Sequence, residues 1–230
     1  MNFARDVVEA APAAREALLV LDREGGRRSV TFGEVADRSA RLAGTLLANG
    51  AGRGDVVMTL IGNRPEWVEA MVACFHIGAV VLPCTEQLRA KDLALRIDVA
   101  RPKVILADER NRTELEAARP DCLVALLPDE TLYDHDVPPV AELAPGDPCL
   151  ITFTSGTSGE PKAVLHGQRY LAGQHVQAEH WLTPARATSS GAPRRRAGAS
   201  RPATSSSPRG SAALRRCCTT SASTPPSAWS

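Results

Sequence analysis

The chain has 230 residues, 43% of them hydrophobic and 23% charged, with a formal net charge of +1. That length suits one sizeable domain or two small ones, and no apolar run approaches the roughly 20 residues a membrane helix needs. The near-neutral total hides two unlike parts, because residues 183–230 hold eight Arg and no Asp, Glu or Lys, which leaves a net −7 on residues 1–182. At the N-terminus, Asp6 and Glu9 stand where a secretory leader would need a positive start and an apolar stretch. The six Cys (74, 84, 122, 149, 217 and 218) show no C-x-x-C spacing and no partnered His. A zinc site is therefore not expected, and those inside apolar stretches, as at Cys74 and Cys122, read as small, reduced core residues of a cytoplasmic chain.

Thr31 to Asn49 is the clearest helix. Thr31 and Glu34 have capping-box spacing, Phe32, Val35, Ala36, Leu42, Ala43, Leu46 and Leu47 share one face, and Gly50 suits a left-handed C-terminal cap. The apolar run from Asp55 to Ile61 predicts a strand buried on both faces. Gly62-Asn-Arg-Pro interrupts it, and Pro65 opens a helix carrying Trp67, Val68, Met71, Val72 and Phe75 and ending near Gly78. A strand at Ala79–Pro83, a helix at about Ala90–Val99, a strand at Lys103–Ala107, a polar helix around Thr113–Ala118 and a strand at Cys122–Leu126 follow. Residues 128–147, rich in Pro, Asp and Glu, read as a surface connection. Cys149–Thr154 predicts one more strand and Tyr170–Leu182 a helix. Strands and helices alternating in this way predict an α/β fold with a largely parallel sheet.

The segment Thr152-Phe-Thr-Ser-Gly-Thr-Ser-Gly-Glu-Pro-Lys162 carries the chemistry. It follows an apolar strand and packs four hydroxyl residues and two glycines into Thr154–Gly159. Gly156 and Gly159 let successive backbone N–H groups turn inward, and Thr154, Ser155, Thr157 and Ser158 add side-chain donors. Lys162, one of three Lys in the chain, adds a positive charge. Donors plus a cation, with no carboxylate before Glu160, describe a cradle for an oxyanion or polyphosphate. The plain alternative is a flexible Gly/Ser/Thr turn between two strands. A nucleotide-binding P-loop fails on spacing: Pro161 stands where its second glycine is required, and Ala163 where it needs a hydroxyl. His166, His175 and His180 lie nearby and read as packed or solvated side chains. Asp134-His135-Asp136 has metal-ligand residue types but no partner cluster.

Phe153-Thr-Ser-Gly-Thr-Ser-Gly-Glu-Pro-Lys-Ala-Val164 closely resembles the phosphate-loop signature of the AMP-forming acyl-CoA synthetases and related adenylating enzymes. Thr31-Phe-Gly-Glu-Val, Arg41-Leu-Ala, Gly54-Asp-Val-Val, Asn63-Arg-Pro-Glu-Trp, Gly78–Pro83 and Lys103–Asp108 resemble that family's N-terminal region in order and spacing. Pro83-Cys-Thr-Glu-Gln-Leu followed by Lys91-Asp-Leu resembles its medium-chain and aromatic acid branch. The resemblance implies an incomplete N-terminal portion of the adenylating-enzyme large domain over residues 1–182. It also implies a two-step ligation, in which a small carboxylic acid attacks the α-phosphate of ATP and the acyl group then passes to the thiol of coenzyme A. Thr154, Ser155, Gly156, Thr157, Ser158 and Gly159 would wrap the β- and γ-phosphates, and Lys162 with Mg²⁺ would neutralise the departing pyrophosphate.

The family's later motifs are not found in these 230 residues: no Tyr-Gly-x-Thr-Glu for adenine and Mg²⁺, no ribose-binding Asp, and no adenylation lysine. The resemblance therefore implies a chain inactive by itself, with a non-catalytic relic or partner-binding fragment as the alternative reading. Residues 183–230 consist mainly of Ser, Ala, Arg, Pro and Thr, with Leu214 the one Leu and no Val, Ile, Met or Phe. That composition predicts a disordered basic tail. With few Lys and many Arg, Ala, Gly and Pro upstream, a GC-rich gene read out of frame beyond codon 183 accounts for it. A nucleic-acid-binding arm is the other reading, although the segment has no Lys and no aromatic before Trp229.

Overall fold

A computed structural model describes residues 1–22, 24–155 and 161–178. Readings that fall on residues 179–230, the basic tail among them, lie outside the described residues. Among the described residues, eight strands fall into two sheets. A two-stranded hairpin pairs β1 (Glu16–Leu21) with β2 (Arg27–Thr31) in antiparallel fashion. The main sheet has the order β6-β5-β3-β4-β7-β8, formed by β3 (Val56–Leu60), β4 (Val80–Pro83), β5 (Val104–Asp108), β6 (Leu123–Leu127), β7 (Pro148–Ser155) and β8 (Pro161–Gly167). Strands β3 to β7 run parallel, and β8 returns antiparallel beside β7.

The helices between the strands are α1 (Phe32–Ala48), α2 (Pro65–Ile77), α3 (Ala90–Ala100), α4 (Arg112–Ala118) and α5 (Gln168–Gln177). None of them is long and apolar enough to cross a membrane. Helix α1 begins with the anticipated capping box: Thr31 Oγ1 accepts from the Glu34 N–H, and the Glu34 carboxylate accepts from the Thr31 N–H. It stops at Asn49, and Gly50 follows at φ +80°.

Period-2 alternation along the strands divides the core. Val57, Ile61, Val81, Val104 and Leu106 point to one side, where Leu42 and Leu46 of α1 and Ala73, Cys74 and Phe75 of α2 cover them. Met58, Leu60, Val80, Leu82, Ile105 and Ala107 point to the other, where Leu93 of α3 and Leu115 of α4 pack. Strands covered on both faces read as unbroken apolar runs, which is why these were legible in the sequence. Each fully buried Leu or Val contributes about 1.5–3 kcal/mol by leaving water.

Four features differ from the sequence reading. The N-terminal 30 residues form a short helix, Ala4–Glu9, and the β1–β2 hairpin, which close a third cluster of Ala4, Val8, Val30, Val35 and Val72. The 128–147 connection is anchored rather than superficial, since Leu132, Tyr133 and Leu143 are buried. A strand, β8, occupies residues the reading left unassigned, and α5 starts two residues before Tyr170. Cys122, expected in the core, is only partly buried, whereas Cys74, Cys84 and Cys149 are buried, and all four are free thiols.

Gly78 ends α2 at φ +74°, and a Cβ built there would sit 2.8 Å from Leu143 Cδ2. Left-handed backbone costs an L-residue roughly 1–2 kcal/mol, before the collision is counted. Gly78→Ala is therefore expected to lower unfolding free energy by about 2 kcal/mol, read as an earlier urea midpoint with an unchanged slope.

Candidate functional site

Open α/β sheets bind ligands at the carboxyl ends of their parallel strands. Here the ends of β3, β5 and β7 differ in character. At the end of β5, the buried Asp108 accepts from the Gly62 N–H at 2.8 Å, from Arg64 Nη1 at 3.0 Å and from Arg110 Nη2 at 2.8 Å. Arg64 also bridges Glu66 at 2.7 Å. Its pKa is raised, chiefly by that Glu66 hydrogen bond, with Asp108 helping against partial burial. This carboxylate is committed to holding the Gly62–Pro65 turn after β3, and two guanidiniums neutralise it. The sequence reading treated that segment only as family text and a helix start.

β7 ends at Ser155 and β8 begins at Pro161, antiparallel to it. Ser155 pairs with Pro161 and Thr154 with Lys162 at the mouth of this hairpin. Thr154 and Lys162 are both exposed, and Thr154 Oγ1 donates to the Lys162 carbonyl at 3.4 Å. Cross-strand partners share a face, so Thr152, Thr154, Lys162, Val164 and His166 line one side, and Phe153, Ala163 and Leu165 the other. On that second side the Arg96 guanidinium stacks over the Phe153 ring, 5.0 Å from its centroid.

Two of the sequence-derived site residues, Thr154 and Lys162, are thus brought together across the hairpin. Ser155 ends β7, and nothing is described of its side chain. Gly156, Thr157, Ser158 and Gly159 lie outside the described residues. The β7–β8 pairing on either side of them is equally compatible with the plain reading of a Gly/Ser/Thr link, so the cradle reading rests on the donors and not on the frame.

Sequence reasoning passed over Thr152 and gave His166 no task. His166 Nε2 lies 3.0 Å from Thr152 Oγ1, and the His166 ring tilts over Tyr170 with centroids 4.3 Å apart. Its spacing to Thr152 becomes meaningful only once the hairpin register is known. Of the other histidines near the loop, nothing is described of the His175 side chain, and His180 lies outside the described residues. Burial holds the His166 imidazole below its ordinary pKa. A histidine whose folded pKa is depressed leaves stability intact above the unfolded value, and stability falls as pH drops through the usual histidine range. Melting curves from pH 8 to pH 5 are expected to decline more steeply for the native chain than for His166→Gln. Equal slopes would show that His166 titrates no differently in the two states.

Away from the hairpin, His135 of the Asp134-His135-Asp136 segment places Nδ1 3.1 Å from Thr45 Oγ1, which also donates to the Leu132 carbonyl. Among the described residues, no three His, Cys, Asp or Glu side chains converge as a metal site would require. Burial pushes the Cys149 thiol up to about 11 and those of Cys74 and Cys84 to about 12, so none is a nucleophile near neutral pH.

Comparison with known proteins agrees with this geometry. The family model described as AMP-binding enzyme matches residues 5–193. Acyl-coenzyme A synthetase ACSM5, mitochondrial, from Mus musculus is 29% identical, with 79% of this chain and 36% of the mouse protein covered. The Rattus norvegicus protein of the same name is 31% identical over 73% of this chain and 33% of its own. Among solved structures, acetoacetyl-CoA synthetase from Streptomyces lividans superposes with a TM-score of 0.69 at 27% identity, covering 78% of this chain and 32% of that one. ATP-bound MatB from Rhodopseudomonas palustris gives a TM-score of 0.65 at 24% identity, over 79% of this chain and 38% of its own. The chain spans about a third of the length of these relatives. A match over residues 5–193, most of the chain, makes this a member of the AMP-binding enzyme family.

Proposed function

We propose that this chain carries the phosphate-gripping part of an ATP-dependent carboxylic acid–CoA ligase that works through an acyl-adenylate and releases pyrophosphate. The observation that carries the reading is the β7–β8 hairpin, which sets the Thr154 hydroxyl and Lys162 opposite one another at the carboxyl end of a parallel sheet. The exposed Thr154 hydroxyl and the Lys162 ammonium are donors of the kind an anionic triphosphate needs, and the buried acid at the carboxyl end of β5, Asp108, is already neutralised by two arginines.

In this reading Thr154, Ser155, Gly156, Thr157, Ser158 and Gly159 hold the β- and γ-phosphates. Lys162 offsets the charge that grows on the leaving pyrophosphate while an acid attacks the α-phosphorus. The work is positioning and charge stabilisation, with no covalent step on the protein. Mg²⁺ would add charge neutralisation at the same oxygens, and coenzyme A would supply the accepting thiol. A medium-chain or aromatic acid as substrate is favoured by the Pro83–Leu88 text and by the ACSM relatives. A cytoplasmic setting is proposed from cysteine usage, and relatives named as mitochondrial make a mitochondrial setting its competitor.

The 230 residues contain no Tyr-Gly-x-Thr-Glu segment and no further adenylation motif. The expected result is that Mg·ATP binds this chain weakly and that no carboxylic acid in a broad panel drives exchange of labelled pyrophosphate into ATP. Robust exchange would overturn the inactivity and show that these residues suffice. A second reading, a partner-binding fragment, is favoured by the exposed β8 edge, where Leu165 is 61% exposed. It predicts no triphosphate binding at all.

A further inference from the structure

Lys162 can serve a phosphate only if its side chain leaves β8 on the face that bears Thr154. On a strand, facing is set by register, and a slip of one residue sends every side chain to the opposite side. In a slipped β8, Ala163 and Leu165 would replace Lys162 and Val164 on the Thr154 face. Little in the backbone alone guards against this. Among the described residues β8 is the edge of the sheet, with β7 as its one hydrogen-bonded neighbour, and residues 162–165 are exposed. Val164 and Leu165 bury too little to choose a face, being 38% and 61% exposed.

His166 does distinguish the registers. It stands opposite Leu150, and its ring reaches diagonally along β7 to Thr152, with Nε2 and Oγ1 3.0 Å apart. The face of the ring rests on Tyr170 in the first turn of α5, and Tyr170 packs against the main core. The Cys149 thiol donates to the His166 carbonyl at 3.4 Å. A slip in either direction would put Leu165 or Gly167 in this place, losing both the hydrogen bond and the stack. Thr152 holds the ring by its Nε2 edge and Tyr170 by its face.

We propose that His166 is a positioning residue, held by Thr152 and Tyr170, that keeps β8 in the register presenting Lys162 beside Thr154. The lock stands on geometry, while its value to triphosphate binding rests on the function proposed above. His166 touches no substrate in this scheme and acts through Lys162.

The test uses the full 230-residue chain with four variants, and two readouts. Register is read from NMR cross-strand contacts between Thr154 and Lys162 and between Phe153 and Ala163. Binding is read by calorimetry with Mg·ATP and with inorganic tripolyphosphate. His166→Leu and the nearly isosteric Thr152→Val are expected to weaken or redistribute those contacts and to reduce tripolyphosphate affinity at least tenfold. His166→Gln, which keeps a hydrogen-bonding side chain, is expected to restore most of both. Lys162→Ala is expected to lose affinity with every cross-strand contact intact. Unchanged contacts in both His166→Leu and Thr152→Val would overturn the lock, as would failure of His166→Gln to differ from His166→Leu. If the native chain binds no tripolyphosphate while the contacts still shift in the variants, the lock stands and the phosphate reading falls.

Discussion

Arg38→Ala is expected to cost about 3 kcal/mol of folding stability. Glu69 of α2 is buried, and its carboxylate is held by Arg38 Nε at 3.0 Å and by the Tyr133 hydroxyl at 2.6 Å. Arg38 also reaches Glu130 at 2.9 Å, and its guanidinium carbon sits over the Tyr133 ring, 3.7 Å from its centroid. Partial burial works against the Arg38 charge, but Glu130 and Glu69 outweigh it and raise its pKa. Burial also pushes the Tyr133 hydroxyl up, and the Glu69 charge adds to this, so the phenol remains a donor to that carboxylate.

Removing the guanidinium leaves a buried charge with one neutral partner, a change worth about 3–5 kcal/mol for fully enclosed pairs. Arg38 keeps 30% of its side chain in solvent, which places the expectation at the low end. For a domain of this size the melting temperature should fall by about 6–12 °C. Arg38→Lys keeps the charge but loses the planar stack and the fork, and is expected to fall between the two. A loss under about 0.5 kcal/mol for Arg38→Ala, the range of ordinary surface changes, would show that water takes over the guanidinium's role.

Lys162→Ala is expected to weaken Mg·ATP binding by about ten- to a hundredfold, since hydrogen bonds to charged groups are worth about 1.5–3 kcal/mol. Its melting temperature should stay near that of the native chain, because Lys162 is exposed on an edge strand. Calorimetric titration at two salt concentrations checks this, as screening should shrink the difference at the higher one. Equal affinity for native chain and variant would move any anion site off β8.

These two residues also mark how far the sequence could be read. Lys162 could be proposed from sequence because the chemistry proposed for it is local: glycines, hydroxyls and a cation lie within eleven consecutive positions, 152–162. The parallel strands were legible because burial on both faces leaves apolar runs such as Val104–Ala107. The Arg38–Glu69–Tyr133 group was not, for its members come from α1, α2 and the 128–147 connection and meet only in three dimensions. Tyr133 and Leu143 sit among Pro and Asp residues that suggest surface, and their burial follows from what α1 and α2 leave uncovered.

Strand β8 escaped for a related reason. Lys162–Leu165 are exposed, so no buried face imposes alternation on them, and pairing with β7 alone makes them a strand. The β1–β2 hairpin carries Arg27, Arg28 and Ser29 on its second strand, and Val30 alone of its residues is fully buried. Neither gives a periodic signal. The Thr152–His166 pair depends in turn on the β8 register, so a missed strand hid a second residue of the site.

Strand β7 joins the sheet beside β4, with Val81 opposite Leu150 across sixty-nine positions of chain. The hairpin it shares with β8 closes over a few residues, whereas its attachment to β4 must close a long loop and bear the larger entropy. The hairpin thus has the means to form early and the obligation to dock late, after β3, β4 and β5 have a surface to receive it. Anion affinity in this chain would then track the final stage of assembly, and a partly folded population would look like a weak binder with sound local chemistry.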